Sequence, residues 1–269
     1  MNGTLYKQMM KVNLKSFMNY SIGSAFYILL MFGLYPSIAN KTEAIDELVQ
    51  SMPEGVGRAF GLTSFNSAEA FISGEYYGLI LVLILSIVCV QLSTQLMAKL
   101  VDQGAMAYLL ATPTTRGKVA FTQGCVLVSG LVLIIAVTTI AGFVGNSWFL
   151  GGEYPFDMGK FVLLNVSALL LFFAVGGIAF LVSAVSNDEK RALGIAGGIT
   201  FGFFSLDLLG KISESVDWMR SLSIFALYRP SEIVSGSEGV LQSFIVLFVI
   251  GAAAFGLAIA LFRRRDLPL

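Results

Sequence analysis

The sequence contains no histidine and only two cysteines in 269 residues. Without histidine, the chain has no imidazole for general acid–base catalysis and cannot form the common histidine-containing zinc sites. Two cysteines cannot build the disulfide framework of a small secreted domain. We therefore expect no catalytic constellation and no metal site. An intramembrane enzyme is set aside, since the apolar runs also lack a pair of aspartates.

Charged residues are scarce as well. They make up 13% of the chain, whereas hydrophobic residues make up 56%. Soluble globular proteins carry about 25% charged residues. The 17 basic and 17 acidic residues balance, which argues against a nucleic acid as a partner. Because the apolar residues are bunched into long runs, the sequence predicts an all-α, polytopic membrane protein.

The apolar runs predict six transmembrane helices. A bilayer core about 30 Å thick requires roughly 20 mostly apolar helical residues. We expect the first run to be retained, since it begins after twenty residues and is longer than the apolar region of a signal peptide, roughly 7–15 residues. The predicted spans are residues 21–39, 79–98, 119–144, 161–185, 192–209 and 240–262.

The basic residues predict the orientation of these spans. Eleven of the 17 basic residues fall on one side when both termini are placed on that side. Loops rich in lysine and arginine stay in the cytoplasm. We therefore expect a multi-pass protein of the cell membrane with both termini cytoplasmic. Trp148 and Trp218 then fall at outer ends of spans, where interfacial aromatic residues are enriched.

Residues 4–20 predict an interfacial helix at the inner membrane surface. Lys7, Lys11 and Lys15 recur every four residues, so they form one stripe that would face lipid headgroups. The alternative is a basic flank that only sets the topology.

The first outer loop, residues 40–77, predicts short amphipathic helices lying on the membrane. Apolar residues recur there at helical spacing, and Ser67 is a candidate N-cap for a second short helix. The alternative is a loosely packed loop. The loop at residues 211–239 has similar apolar positions. Those of the first loop are Ile45, Leu48, Val49, Met52, Phe71 and Ile72.

The inner loop, residues 99–118, predicts a short uncharged helix. Residues 105–111 are good helix formers, and Pro113 ends the helix because it pushes the preceding residue out of the α region. Thr114 or Thr115 can then cap the third span. The apolar patch Tyr108-Leu109-Leu110 is costly in water unless it is covered. Either a partner protein covers it, or it folds back onto its own helices.

This loop resembles the cytoplasmic loop of ABC-2 (type-2 ABC) transporter permeases. In that family the loop forms a coupling helix that docks on the ATP-hydrolysing subunit. Two departures are Ala105, where threonine is common, and the single acid before Gly104. The stretches 52–61, 75–78 and 262–267 also resemble the family. The coupling residues that the resemblance implies are Asp102, Gly104, Tyr108, Leu109, Leu110, Thr112, Pro113 and Arg116.

The resemblance implies the membrane-spanning permease subunit of an ABC exporter. The sequence contains no P-loop, since Gly117-Lys118 is followed by Val119 rather than by serine or threonine. ATP and magnesium are therefore expected in a separate ATPase subunit, present in two copies, and no cofactor is expected in this chain. The other expected partners are a second permease copy or homologue and membrane lipids. The alternative is a stand-alone secondary transporter or channel. The substrate is not readable from the residues.

Polar residues in the second span suggest a transport path. Gln91, Thr94 and Gln95 lie in its inner half, and amides inside a bilayer usually face protein or water. They either line a path or form hydrogen bonds between helices within the subunit.

The fifth span has small residues at helical spacing. Gly194, Gly198 and Gly202 allow close helix packing, within the subunit or across a permease dimer, and a flexible gate is the alternative. Asp207, near the outer end of this span, predicts an interfacial carboxylate, with an ion-coupling site as the alternative. Cys89 and Cys125 are expected to be small core residues.

Overall fold

The computed structural model describes residues 1–41, 67–237 and 239–266, and no strand occurs among them. Six helical segments in this part of the chain are long and apolar enough to cross a membrane, which confirms an all-α polytopic membrane protein. They are Gly3–Ala39, Ala68–Asp102, Arg116–Leu150, Met158–Val185, Glu189–Ile212 and Val240–Arg264.

The helices are numbered in chain order. Helix α1 is Gly3–Ala39, α2 is Ala68–Ile72, α3 is Leu81–Leu96, α4 is Ala98–Asp102 and α5 is Ala105–Leu110. Helix α6 is Arg116–Gly145, α7 is Met158–Val185, α8 is Glu189–Ile212, α9 is Pro230–Ser235 and α10 is Val240–Arg264. Two π-helical stretches, Ser73–Ile80 and Asn146–Leu150, extend the second and third spans, and two 3₁₀ helices, Glu214–Leu222 and Ile224–Leu227, follow α8.

Helix α1 differs from the sequence prediction. An interfacial helix at 4–20 and a separate span at 21–39 were expected, but α1 is one uninterrupted helix of 37 residues. At about 1.5 Å per residue it is roughly 55 Å long, well beyond the apolar core of a bilayer. The junction contains no proline, and the hydrogen-bonded ladder therefore continues through it. Pro36 lies inside the last turn, where few bonds remain to be lost.

Helix α7 is the centre of the bundle, in contact with α3, α6, α8 and α10. Glycines allow its closest approach to α10, since a Cβ on Gly177 would lie 3.0 Å from the carbonyl oxygen of Gly251. Helix α1 lies against α6, where the ring of Phe17 packs on Gly130. The core sits between these helices, because their glycines let large side chains interlock with the neighbouring backbone.

One predicted outer helix is present, but it is the start of the second span: α2 runs without a break into the π-helical stretch Ser73–Ile80 and is not a separate helix lying on the membrane. Ser67 caps α2, because its hydroxyl accepts a hydrogen bond from the Ala70 amide at 3.2 Å. Phe71 and Ile72 are both buried against the bundle. The other predicted outer positions, Ile45, Leu48, Val49 and Met52, lie outside the described residues, as do the family-like residues 52–61 and Leu267.

Candidate functional site

The predicted uncharged helix of the inner loop is present as α5, which begins at Ala105 as expected and ends one residue before the end of the predicted helix formers, residues 105–111. Gly104 precedes it with a φ of 70°, a left-handed conformation that glycine adopts without strain. The helix ends at Leu110, before Pro113. Thr115 then caps α6 by accepting a hydrogen bond from the Lys118 amide at 3.3 Å. A sharp turn therefore isolates a single six-residue helix between α4 and α6.

The side chains of α5 divide into an inward and an outward set. Met106 is fully buried and anchors the helix to the core. Leu109 and Leu110 are half-buried and pack against the chain's own core. Tyr108 is 82% exposed. The two leucines thus fold back onto their own helices, whereas the tyrosine is left for water or a partner.

Helix α1 supports the loop that follows α5. The Asn2 side-chain amide donates to the Thr114 hydroxyl at 2.9 Å, and the Asn2 backbone amide donates to the Thr122 hydroxyl at 3.0 Å. The Thr112 hydroxyl donates to the Leu109 carbonyl at 2.6 Å, which closes the turn. Sequence analysis missed Asn2, whose only sequence signal is its place as the N-cap of α1.

The two charged residues of the predicted coupling set bind within the chain. Asp102 accepts a hydrogen bond from the Glu189 amide at 3.1 Å, beside an ion pair of 3.3 Å between Lys99 and Glu189. These contacts tie α4 to the start of α8. Arg116 donates to the carbonyl oxygen of Arg265. Both residues therefore brace the loop against its own bundle.

Arg265 links this end of the bundle further. Its guanidinium donates to the carbonyl oxygens of Ala184, at 2.7 Å, and Ser186, at 3.1 Å. Partial burial lowers the pKa of Arg265 from its usual range, although an arginine remains charged at neutral pH. We call the end of the bundle that carries Lys99, Lys118, Lys190 and Arg263 the basic end.

Comparison with known protein families identifies the chain. The family model described as "ABC-2 family transporter protein" matches residues 12–267. The chain belongs to this family. It is a multi-pass membrane permease of ABC transporters, and its family implies association with an ABC ATPase. A search of curated proteins finds no significant match.

The predicted path residues of this ABC-2 permease do not share one environment. Gln91 accepts a hydrogen bond from the Tyr20 hydroxyl at 3.0 Å, which joins α3 to α1. Thr94 is buried, and its hydroxyl has no hydrogen-bond partner among the described residues. Gln95 is exposed. The structure thus favours a role between helices for Gln91 and leaves only Gln95 facing outward.

The glycine face of α8 is open in the single subunit. A Cβ added to Gly194, Gly198 or Gly202 meets no heavy atom of the described residues within 4 Å. Close packing of these glycines within the subunit, one of the two expected arrangements, is therefore not what the structure has. Packing across a permease dimer stays a prediction.

Asp207 is buried and paired. It is 3% exposed, and its carboxylate lies 2.6 Å from the Lys211 ammonium and 3.4 Å from Nε of Arg220. The expected interfacial carboxylate reaching toward water is therefore wrong. Two cations neutralise the group instead, and Arg220 anchors the 3₁₀ helix Glu214–Leu222 to α8.

Proposed function

We propose that this chain is the membrane-spanning subunit of an ABC exporter and that α5 receives the force of ATP hydrolysis in a separate ATPase subunit. The observation that carries the proposal is Tyr108, an 82% exposed aromatic side chain on a short uncharged helix. Large aromatic residues are enriched at the centres of protein interfaces. A groove on the ATPase that covers Tyr108 would remove this apolar surface from water.

The neighbouring contacts suit α5 to transmit a push. It is joined through Gly104 to α4 and through Thr115 to α6, and Met106 fixes it to the core. Asp102 and Lys99 brace α4 on Glu189 of α8. A displacement of α5 would thus reach the second, third and fifth spans together. This coupling is what switching between inward-facing and outward-facing states requires.

The basic end then faces the cytoplasm, since lysine and arginine are enriched in cytoplasmic loops. Both termini lie at that side, and the cell membrane is the proposed location. Two ATPase subunits and a second permease, identical or homologous, complete the assembly. The open face of α8 at Gly194, Gly198 and Gly202 supports a contact between permeases, because small residues let two helices approach closely.

A stand-alone secondary transporter has less support. Coupling ions in that class bind at intramembrane charges or broken helices. Asp207, the residue that supported this alternative, is engaged by Lys211 and Arg220. Transport in liposomes that contain this chain alone, driven by an ion gradient, would favour the alternative and count against the exporter.

The coupling proposal is tested by co-expressing the permease with a P-loop ATPase and purifying the complex. We expect Tyr108→Asp to abolish co-purification and the ATPase stimulation by permease, whereas Tyr108→Phe retains both. The matched control is Glu153→Lys, an exposed charge change at the opposite end of the bundle, which should leave both intact. A complex that forms normally with Tyr108→Asp would overturn the coupling role of α5.

A further inference from the structure

A cavity of about 310 Å³ lies between α6, α7 and α10, on a side of the bundle that the coupling proposal does not use. Its wall is largely apolar, and Phe121 is 44% exposed, so the cavity opens to the surface of the spans. The cavity sits beside a tight contact, because a Cβ on Gly124 would lie 3.3 Å from the ring of Phe255. Its apolar wall includes Phe121, Cys125, Val128, Phe173, Phe255 and Ile259.

Two cations stand at one end of this cavity. Lys118 precedes Phe121 by three residues on α6, and Arg263 follows Ile259 by four residues on α10, so each lies on the cavity side of its helix, one turn nearer the basic end. The Arg263 stem packs beside Gly117, where a Cβ would lie 3.8 Å from Cδ of the arginine. The two positive charges therefore flank the same opening.

Both cations are free to bind a ligand. Lys118 and Arg263 are exposed, and neither side chain forms a salt bridge or hydrogen bond within the described ranges. Arg116 and Arg265, by contrast, are already used on backbone carbonyls. Asp266 lies three residues beyond Arg263, past the end of α10, and is itself exposed.

We infer that this cavity binds an anionic phospholipid from the leaflet at the basic end. A segment of one acyl chain fills the apolar cavity, and the headgroup phosphate lies between Lys118 and Arg263. Basic pockets between transmembrane helices are typical sites for anionic headgroups. A zwitterionic lipid presents the same phosphate together with a cation, so its attraction to this pair is weaker.

A second copy of the chain fits this surface less well. A two-fold contact through the cavity would place Lys118 and Arg263 of one copy against the same residues of the other. Four cations would then face one another around an apolar opening. The charges thus favour an anionic lipid over self-association.

Cys125 provides a native probe of the cavity. It lines the wall and is partly exposed, whereas Cys89 is fully buried and reports only unfolding. The purified full chain in neutral detergent is titrated with phosphatidylglycerol or phosphatidylcholine, and the reaction of each cysteine with a maleimide is followed by peptide mass spectrometry. We expect phosphatidylglycerol to protect Cys125 at about 25-fold lower mole fraction than phosphatidylcholine, since each of the two basic residues near an anionic headgroup contributes a factor of about five.

The variants separate headgroup recognition from simple coverage by lipid. Lys118→Gln with Arg263→Gln should remove the preference for phosphatidylglycerol, and Lys118→Arg with Arg263→Lys should retain it. Lys190→Gln with Arg191→Gln removes the same charge from exposed positions at the start of α8, which does not line the cavity, and should change nothing.

Four results would overturn the inference. Equal protection of Cys125 by both lipids in the natural chain would exclude selection by the headgroup. No protection by either lipid would exclude a lipid site in the cavity. A preference for phosphatidylglycerol that persists in the double glutamine variant would exclude a role for Lys118 and Arg263. Protection that rises with protein concentration in lipid-free detergent would assign the cavity to a second copy instead.

Discussion

Asp207 and Arg220 join two elements that are separate in the sequence: Nε of Arg220 lies 3.4 Å from the buried Asp207 carboxylate. Lys211, one turn along α8, approaches the same carboxylate at 2.6 Å. The pair fixes the 3₁₀ helix Glu214–Leu222 over the end of α8. The Ser223 hydroxyl adds a hydrogen bond to the carbonyl oxygen of Phe203 at 2.6 Å. This end of the fifth span is thus closed by polar contacts rather than open to water.

Asp207→Asn should therefore destabilise the protein. The substitution leaves the charges of Lys211 and Arg220 without their buried partner. Both cations are partly exposed. We therefore expect the free energy of unfolding to fall by about 2 kcal/mol, less than the roughly 3–5 kcal/mol lost when a fully buried pair is broken. Thermal unfolding in detergent, monitored by size-exclusion chromatography of heated samples, measures this loss of stability.

The control for Asp207 is Asp217→Asn. Asp217 contacts the same arginine at 3.4 Å, but its side chain is 63% exposed, and exposed ion pairs contribute about 0–1 kcal/mol. Equal stability of the Asp207 and Asp217 variants would contradict the buried clamp. A stable Asp207→Asn protein that loses ion-driven transport would instead revive the secondary-transporter alternative.

Gly145→Ala tests the packing of α1 on α6. A Cβ at this position would lie 2.8 Å from the Phe32 ring, which is buried and held by the rings of Phe156 and Phe161 at centroid distances of 5.1 and 6.1 Å. The ring has no room to yield, so we expect a loss of about 1–3 kcal/mol from overpacking. The same unfolding measurement in detergent gives this loss of stability.

Gly256→Ala is the matched control on α10. A Cβ there meets nothing in the described chain within 4 Å, so the gain in helix propensity, up to about 1 kcal/mol, is not opposed. If Gly145→Ala is as stable as Gly256→Ala, the approach of α1 to α6 is looser than the structure has it.

The spans were predictable because hydropathy over about 20 residues is a local property of the sequence. Their ends were less so, since the π-helical stretch Ser73–Ile80 continues the second span through Glu75. The helix α5 and its caps follow from local chemistry at Gly104, Pro113 and Thr115. The fold class and family were therefore readable before any coordinates.

Long-range contacts explain what sequence analysis missed. Leu109 and Leu110 are partly buried against the core, and Leu109 lies beside the start of α1, about a hundred residues away in the chain. Arg220, one of the two cations paired with Asp207, lies in a 3₁₀ helix that hydropathy does not predict. Helix α1 is continuous because no residue interrupts it near position 20. The spacing of its lysines, on which the interfacial helix was predicted, carries no information about such an interruption. The coupling role, the path and the dimer stay predictions.

Met106→Ala tests how α5 is anchored. Met106 is fully buried beneath the helix, and truncating a buried methionine costs about 2–5 kcal/mol. We expect faster amide hydrogen exchange across residues 105–110 and weaker stimulation of the partner ATPase. Tyr108 remains available, so binding of the partner should persist.

Met31→Ala makes the same truncation on α1, where Met31 is also buried. It should lower stability without accelerating exchange in α5. Normal stimulation of the ATPase by Met106→Ala, together with faster exchange in α5, would show that a rigid α5 is not needed for coupling.

Gly198→Ile tests whether the open face of α8 is the contact between permeases. A branched side chain there meets no atom of residues 1–41, 67–237 and 239–266 within 4 Å of the added Cβ, so the isolated subunit should fold normally. Across a close helix pair the same side chain would force the backbones apart. We expect the dissociation constant of the dimer to rise by about tenfold, which corresponds to roughly 1.4 kcal/mol. Gly256→Ile, at an equally open position on α10, should leave the dimer intact. Light scattering coupled to size-exclusion chromatography measures both variants. A dimer that is unchanged by Gly198→Ile and lost with Gly256→Ile would move the contact from α8 to α10.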